Sequence, residues 1–379
     1  MAWIRNRPVG LVYRDADRSF PGYTLFCSAR GHHATLLDPA GRIVHRWWHD
    51  EGIQHLKLLP SGNLLVHTLP PEDAGGVEHI GGSSSALVEL DWDSRTIWEY
   101  RSQMLHHDFV RLDNGNHLVV AWEQLPPGVQ DGIQGGHHHV DDPERMWGDV
   151  ILEVDPKGHT VASWQSWEHL DPALDVLCPL ESRREWTHAN SLEVLSDGRW
   201  LVSFRLTSTV AIIEPATGEI VWRWGPDELS HQHSATWLSD GTILLFDNGC
   251  HRKRSPAFSR LVEVDVQSKE IVWNHHGDVL LSFFSFMVSG ADRLPNGNTL
   301  VTEGATGRLF EVTRDHDVVW EYVSPFTLVD PRFGPTPMVF RAYRYPIDDT
   351  RFAGRDLEPG RYAALEERFA AGGLPVDDE

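Results

Sequence analysis

The sequence predicts an all-β fold: a six-bladed β-propeller with four-stranded blades, the ring closed by a C-terminal strand and followed by a short C-terminal helix. Three observations lead there. Two kinds of hairpin alternate along the chain, one kind ends in tryptophan at six places, and 16 Trp, 32 Gly and 22 His stand beside only 7 Tyr and 5 Met. Self-similarity at such a period is the mark of a repeat architecture.

The first hairpin is an apolar run, a turn and a second apolar run, seen at 55–66 (HLKLLPSGNLLV), 107–120, 190–202, 233–246 and 289–301. Each turn holds Ser-Gly, Asn-Gly or Asp-Gly, which supply the positive φ that joins two strands tightly. The second hairpin occupies 34–47, 86–98, 150–164, 210–222, 260–273 and 308–320 and ends at Trp47, Trp98, Trp164, Trp222, Trp273 and Trp320, 47 to 66 residues apart and in register to within two residues. Two hairpins make one four-stranded blade. Blade one lacks its leading hairpin at the N-terminus, and the strand-like MVFRAYRYPI at about 338–347 is expected to supply its innermost strand, leaving no free sheet edge. Residues 1–352 are thus expected to form one propeller domain, with 353–379 a tail packed on the rim through a helix bearing Tyr362, Leu365 and Phe369 on one side. The tryptophans are read as inter-blade packing residues. Longer loops at 70–85, 123–148 and 165–186 interrupt the pattern, and loops of such length are often functional. GGSSS (81–85) reads as flexible.

Charge and cysteine content narrow the partners. Lys+Arg 33 against Asp+Glu 55 gives a net charge of −22, which argues against nucleic-acid or anionic-membrane surfaces. No apolar stretch approaches the ~20 residues of a membrane helix. Without an apolar signal segment, and with only Cys27, Cys178 and Cys250, the expected setting is the cytoplasm and the expected thiols are reduced and unpaired. The partner expected is a small aromatic or anionic molecule, and the protein a monomer or homodimer. Nucleotide-loop, α/β-hydrolase and calcium-loop motifs are missing.

The residues that lead into the inner hairpins carry the chemistry. They are His55, His106 with His107, His188 with Asn190, His231 with His233, and Ser289, and in a propeller they converge on one channel. Arg205 ends the hairpin begun by His188, while Arg341 and Arg344 lie on the closing strand; guanidinium beside imidazole suits an oxyanion. Asp247, Asn248 and Glu303, at second-strand ends, are candidate orienters of the histidine rings and equally candidate turn residues. Two chemistries fit. A neutral imidazole could attack sulfur or phosphorus of a bound oxyanion, Arg stabilising the charge and a second His acting as acid. Alternatively His107, His188 and His233 could hold a divalent transition metal for a lyase, hydratase or hydrolase step. A propeller that binds a ligand or protein without catalysis is the third reading. His137, His138 and His139, in the 123–148 loop, read as a lid, a surface metal trap or neither.

The stretches WTHANSLEVLSDG…VSFR (186–205), SHQHSATWLSDGTILLFDNG (230–249) and VFRAYRYP (339–346) resemble the arylsulfate sulfotransferase (ASST, arylsulfotransferase) family over about residues 20–346. The resemblance implies a six-bladed propeller that moves a sulfo group between phenols through a histidine intermediate, with no nucleotide sulfate donor and no cofactor. It implies that His188 and Arg205 bind the sulfo group, that His233 is the nucleophile with His231 the other choice, and that His107 or its neighbour His106 is the channel histidine of the preceding blade. His55, Asn190, Arg341 and Glu303 complete the expected substrate-binding set.

Overall fold

The computed structural model describes residues 8–70, 77, 80–140, 142–330 and 334–370. Its strands form six four-stranded antiparallel blades, the six-bladed propeller expected, and they resolve into two compact units.

The first unit holds blades six, one and two. Blade one is Val339–Pro346, Gly22–Ser28, Gly31–Leu37 and Ile43–Ile53 in that order, so a strand from the C-terminal end is its innermost member. The expected closure therefore exists, and its register runs from Gly22 opposite Pro346 to Ser28 opposite Val339. A second closure was not legible in the sequence. Gly10–Arg14 pairs with Val318–Val323 and adds a fifth strand to the outer edge of blade six.

The tail packs here too. Tyr362 and Leu365 lie against the cluster of Phe20, Leu37, Ile43 and Trp320. Tyr362 Oη accepts from Arg46 N at 3.1 Å and Glu366 Oε1 from Ile43 N at 2.6 Å, so the helix Ala363–Ala370 satisfies donors of a strand edge that would otherwise invite pairing. The side chain of Phe369, and residues 371–379, lie outside the described residues.

The second unit holds blades three, four and five, with inner strands Leu105–Arg111, Ala189–Val194 and His233–Trp237. Its inner turns place Gly115 and Gly198 at φ +90°, where a side chain is strained. Outer turns are fixed differently, by an aspartate that begins them: Asp155 Oδ1 accepts from Lys157 N at 2.8 Å and His159 N at 2.9 Å. Asp38 in the first unit does the same for Ala40 and Arg42, the local bonding that makes aspartate a turn former.

The repeated tryptophans join blade to blade. Trp164 Nε1 donates to Gly218 O at 3.0 Å, Trp222 Nε1 to Val266 O at 2.9 Å and, in the first unit, Trp320 Nε1 to Pro39 O at 3.2 Å. In each case the acceptor lies in the outer turn of the next blade. One residue type thus supplies apolar area and a bond of fixed direction, which explains its recurrence. Among the described residues no helix is long and apolar enough to cross a membrane.

Candidate active site

The second unit gathers most of the expected residues, and its two long loops are what position them. Gly135–His137, from the 123–148 loop, pairs in parallel with Leu177–Ser182, and Glu185–Trp186 pairs in parallel with Trp147 and Gly148. Arg183 ties the two loops by donating to the carbonyls of Gln130, Ile133 and Gly135 at 2.8–2.9 Å. This bonding sets Cys178, Glu181 and Glu185 against the leading residues of the inner strands. His137, His138 and His139 are exposed.

Those leading residues depart from strand geometry. His107, His188 and His231 have φ of 51°, 64° and 61°. A left-handed backbone at a side chain with a Cβ costs about 1–3 kcal/mol and tends to accumulate at functional sites. The consequence is local: each ring leaves the in-out alternation of its strand.

Asp149 organises the first group. It is wholly buried on the third strand of blade three; its Oδ2 accepts from Thr187 N (2.9 Å), Thr187 Oγ1 (2.7 Å) and Ala189 N (3.0 Å), which holds the segment carrying His188. Its Oδ1 faces His106 Nε2 at 3.3 Å, and His106 stacks on Trp122 with centroids 4.0 Å apart. Burial alone would raise the Asp149 carboxyl, but the hydrogen bond and charge of His106, with the Thr187 donors, hold it below its ordinary value. His106 Nδ1 meets His107 Nδ1 at 2.9 Å. With Asp149 taking the His106 Nε2 proton, His106 Nδ1 accepts from His107, and the lone pair of His107 falls on Nε2.

The other two rings are fixed to the same result. His188 Nδ1 donates to Glu185 Oε1 at 2.8 Å. His233 Nδ1 donates to Asn248 Oδ1 at 2.7 Å, the amide being oriented by its own Nδ2 donating to Ser285 O at 2.8 Å. In their neutral forms the three imidazoles carry their lone pairs on Nε2. The rings of His107 and His188 are in edge-on contact, centroids 4.4 Å apart. His107 is kept well below the ordinary histidine range by its burial first, then by His188, His106, His233 and Arg205, which places all five in one electrostatic neighbourhood.

Arg205 leads to a second group. Its backbone N donates to His188 O at 3.0 Å, and its Nη1 donates to Glu181 Oε1 at 3.1 Å. The same oxygen lies 3.1 Å from His231 Nε2 and 3.8 Å from His251 Nδ1. Burial opposes the charge on Glu181, yet the facing His231 ring and the Arg205 guanidinium hold its carboxyl well below the ordinary range, while burial takes His231 down to about 4. Asn190 acts as a brace, its Nδ2 donating to Gln232 O at 2.8 Å.

Of the remaining expected residues, His55, Glu303, Arg341 and Arg344 lie in the first unit and Asp247 in the second. His55 opens the inner strand of blade two, 1% exposed, with Phe340 and Tyr343 rings 4.8 and 6.2 Å away. Arg341 lies over the Phe340 ring and donates to Tyr343 Oη at 3.5 Å, and Glu303 pairs with Arg308 Nη1 at 3.1 Å. Arg344 is bonded to Glu311 and Thr24, an internal ion pair of blades six and one. Asp247 is a structural hub, taking Arg252 and Arg260 at 2.8 Å each, so of the Asp247-Asn248 pair the asparagine is the orienter.

Sequence reasoning missed Asp149, Glu181, Glu185, His251 and Gly82. The last is in GGSSS, which proves packed rather than loose: Ser83 and Ser84 are buried, Gly82 O accepts from His107 N at 3.0 Å, and a Cβ on Gly82 would overlap the His107 ring. With φ at +86°, Gly82→Ala is expected to cost about 1–3 kcal/mol in a denaturant titration. It should also displace the His107 imidazole, seen as a shift of its ring nitrogen resonances.

Fold and site together define a propeller with a buried histidine–arginine centre framed by inner strands. The sequence profile of the arylsulfotransferase (ASST) family matches residues 77–325, and the chain belongs to that family. No curated relative matches it. Among solved structures it is similar to a protein of unknown function from Bacteroides caccae, at 16% identity over 86% of this chain and 98% of the other, with a TM-score of 0.53. A streptogramin B lyase (12% identity, 83% and 82% covered, TM-score 0.46) and virginiamycin B lyase from Staphylococcus aureus (10%, 92% and 87%, 0.41) share less. The first likeness shows the fold alone.

Proposed function

We propose that the protein transfers a sulfo group from an aryl sulfate to a phenolic acceptor through a sulfohistidine at His233. The observation that supports this most is the set of rings His107, His188 and His233, each held through Nδ1 in one neighbourhood with Arg205. A sulfate ester has no easily polarised carbonyl, so what the reaction needs is an unprotonated nucleophile and cationic or N–H donors for the sulfonyl oxygens.

In the first half-reaction the Nε2 lone pair of His233 forms the N–S bond as the S–O(aryl) bond breaks, its electrons leaving with the phenolate. Arg205 donates to the sulfonyl oxygens, and His188 joins it from Nε2 when its ring carries a second proton, with Glu185 as the counter-ion. In the second half, His107 Nε2 takes the proton of the acceptor phenol as its oxygen attacks sulfur; the N–S bond breaks and its electrons return to His233. The proton accepted by His107 balances the one that the first phenolate acquires from solvent. Glu185 and Asn248 are positioning residues, because they act through the tautomers of His188 and His233.

The test is turnover of 4-nitrophenyl sulfate with and without phenol, in the absence of any nucleotide. Nitrophenol release that depends on phenol, with phenyl sulfate formed in equal amount, is the expected result. No release from a panel of aryl sulfates would leave the binding-propeller reading in possession. Release as inorganic sulfate that stops with chelator would turn the site into a metal hydrolase.

A further inference from the structure

Beyond the sulfo-transfer site, we infer that Cys178, His231, His251 and Glu181 form a binding site for a zinc-class divalent cation, reached through the neighbouring cleft. The donor atoms of Cys178, His231 and His251 lie within 4.8 Å of one another. Cys178 Sγ is 3.4 Å from His251 Nδ1, His251 Nδ1 is 3.8 Å from Glu181 Oε1, and Glu181 Oε1 is 3.1 Å from His231 Nε2. Ligands that share one tetrahedral ion at Zn–S of about 2.3 Å and Zn–N of about 2.0 Å stand roughly 3.3–3.7 Å apart, so these separations are those of a ligand shell before small adjustment.

The chemistry of the set agrees with its spacing. A thiolate with two imidazoles and a carboxylate selects zinc, cobalt or copper and disfavours magnesium and calcium, which take oxygen ligands. His231 is 1% exposed and its Nε2, the atom that faces Glu181, makes no hydrogen bond of good geometry, an expensive arrangement for a ring whose only role is packing. The thiolate and the carboxylate bring two negative charges, which offset the cation beside Arg205. Access exists: Cys178, His231 and His251 all line a cleft of about 430 Å³ whose wall includes Leu174, Leu206 and Lys253. Cys178 and His251 are only partly buried, so an ion can arrive without unfolding.

The experiment is cobalt and zinc titration of protein carrying no affinity tag, after chelator treatment under reducing conditions. One equivalent of cobalt is expected, with the thiolate-to-cobalt charge-transfer band and the visible bands of a tetrahedral site. Cys178→Ser should remove the charge-transfer band and weaken zinc by more than the 10–100-fold, about, that a supporting partner is worth. His251→Ala should weaken it likewise, which keeps the test usable if the thiol variant folds poorly. Replacing His137, His138 and His139 together should change nothing. No bound ion at micromolar zinc, or binding that survives both variants and is lost only with the exposed histidines, would overturn the assignment. Sulfo transfer is read separately from nitrophenol release, so failure of either proposal leaves the other standing.

Discussion

His233→Ala is expected to lower kcat for aryl sulfate donors by about 10⁴-fold or more, the scale seen when a nucleophile is deleted from a covalent mechanism. The ring is 3% exposed and opens the inner strand of blade five. Its Nδ1 bond to Asn248 leaves Nε2 as the reacting atom, and the Asn248 bond to Ser285 fixes which way the amide faces. Asn248→Ala should therefore fall between wild type and His233→Ala, with kcat reduced and KM little changed. His231→Ala distinguishes the two candidates in HQHSA. His231 faces Glu181 and His251, so its loss is expected to disturb Arg205 through Glu181 and to leave the sulfohistidine able to form. Equal loss in His231→Ala and His233→Ala, with neither variant forming the adduct, would move the nucleophile to the other ring.

The protein should also unfold in mild acid. His45, His117 and His231 are each taken down to about 4, and His107 is taken well below its ordinary value. Burial is the leading cause in all four. The sign follows from linkage: the folded-state value lies below the unfolded 6.5, so between the two the unfolded chain binds protons that the folded chain refuses. Stability is full above pH 6.5 and falls as pH drops towards 4, by up to about 1.4 kcal/mol per pH unit for each fully titrating ring. A domain stabilised by about 5–15 kcal/mol cannot sustain four such losses together. His45 shows why the ring refuses the proton: it is buried against Trp92, ring centroids 3.9 Å apart, and burial outweighs the Trp92 carbonyl on Nε2, which alone would favour the proton. Tryptophan fluorescence against pH should give a midpoint above pH 4, and a flat signal down to that pH would show that these rings protonate in place.

The blades were legible because their physics is periodic. Apolar alternation, Ser-Gly, Asn-Gly and Asp-Gly turns and a tryptophan at the end of the outer hairpin recur along the chain, and the repeats expose one another. The closing strand followed from the missing half of blade one. Its counterpart at Gly10–Arg14 did not, because GLVYR is short, edge-bound and exposed, with Leu11 37% and Tyr13 49% accessible.

The site was half legible for the same reason. His107, His188 and His233 occur at one repeated position, so recurrence marks them. Their partners are not repeated: Glu181 and Glu185 come from a loop with no period, and Gly82 from a stretch whose composition reads as slack. Asp149 had a signal that went unused, a carboxylate within the apolar run GDVILEV, since a buried acid without a partner is too costly to be incidental. Glu303 illustrates the converse, a position analogous to that of Asn248 but turned to Arg308.

The most direct test is to mix the protein with excess 4-nitrophenyl sulfate, without acceptor, and to follow its intact mass and then its fragments. One sulfo group per chain on His233, absent from His233→Ala and discharged by added phenol with formation of phenyl sulfate, is the result the mechanism requires. Turnover with no adduct, or an adduct on another residue that phenol discharges equally fast, would contradict it.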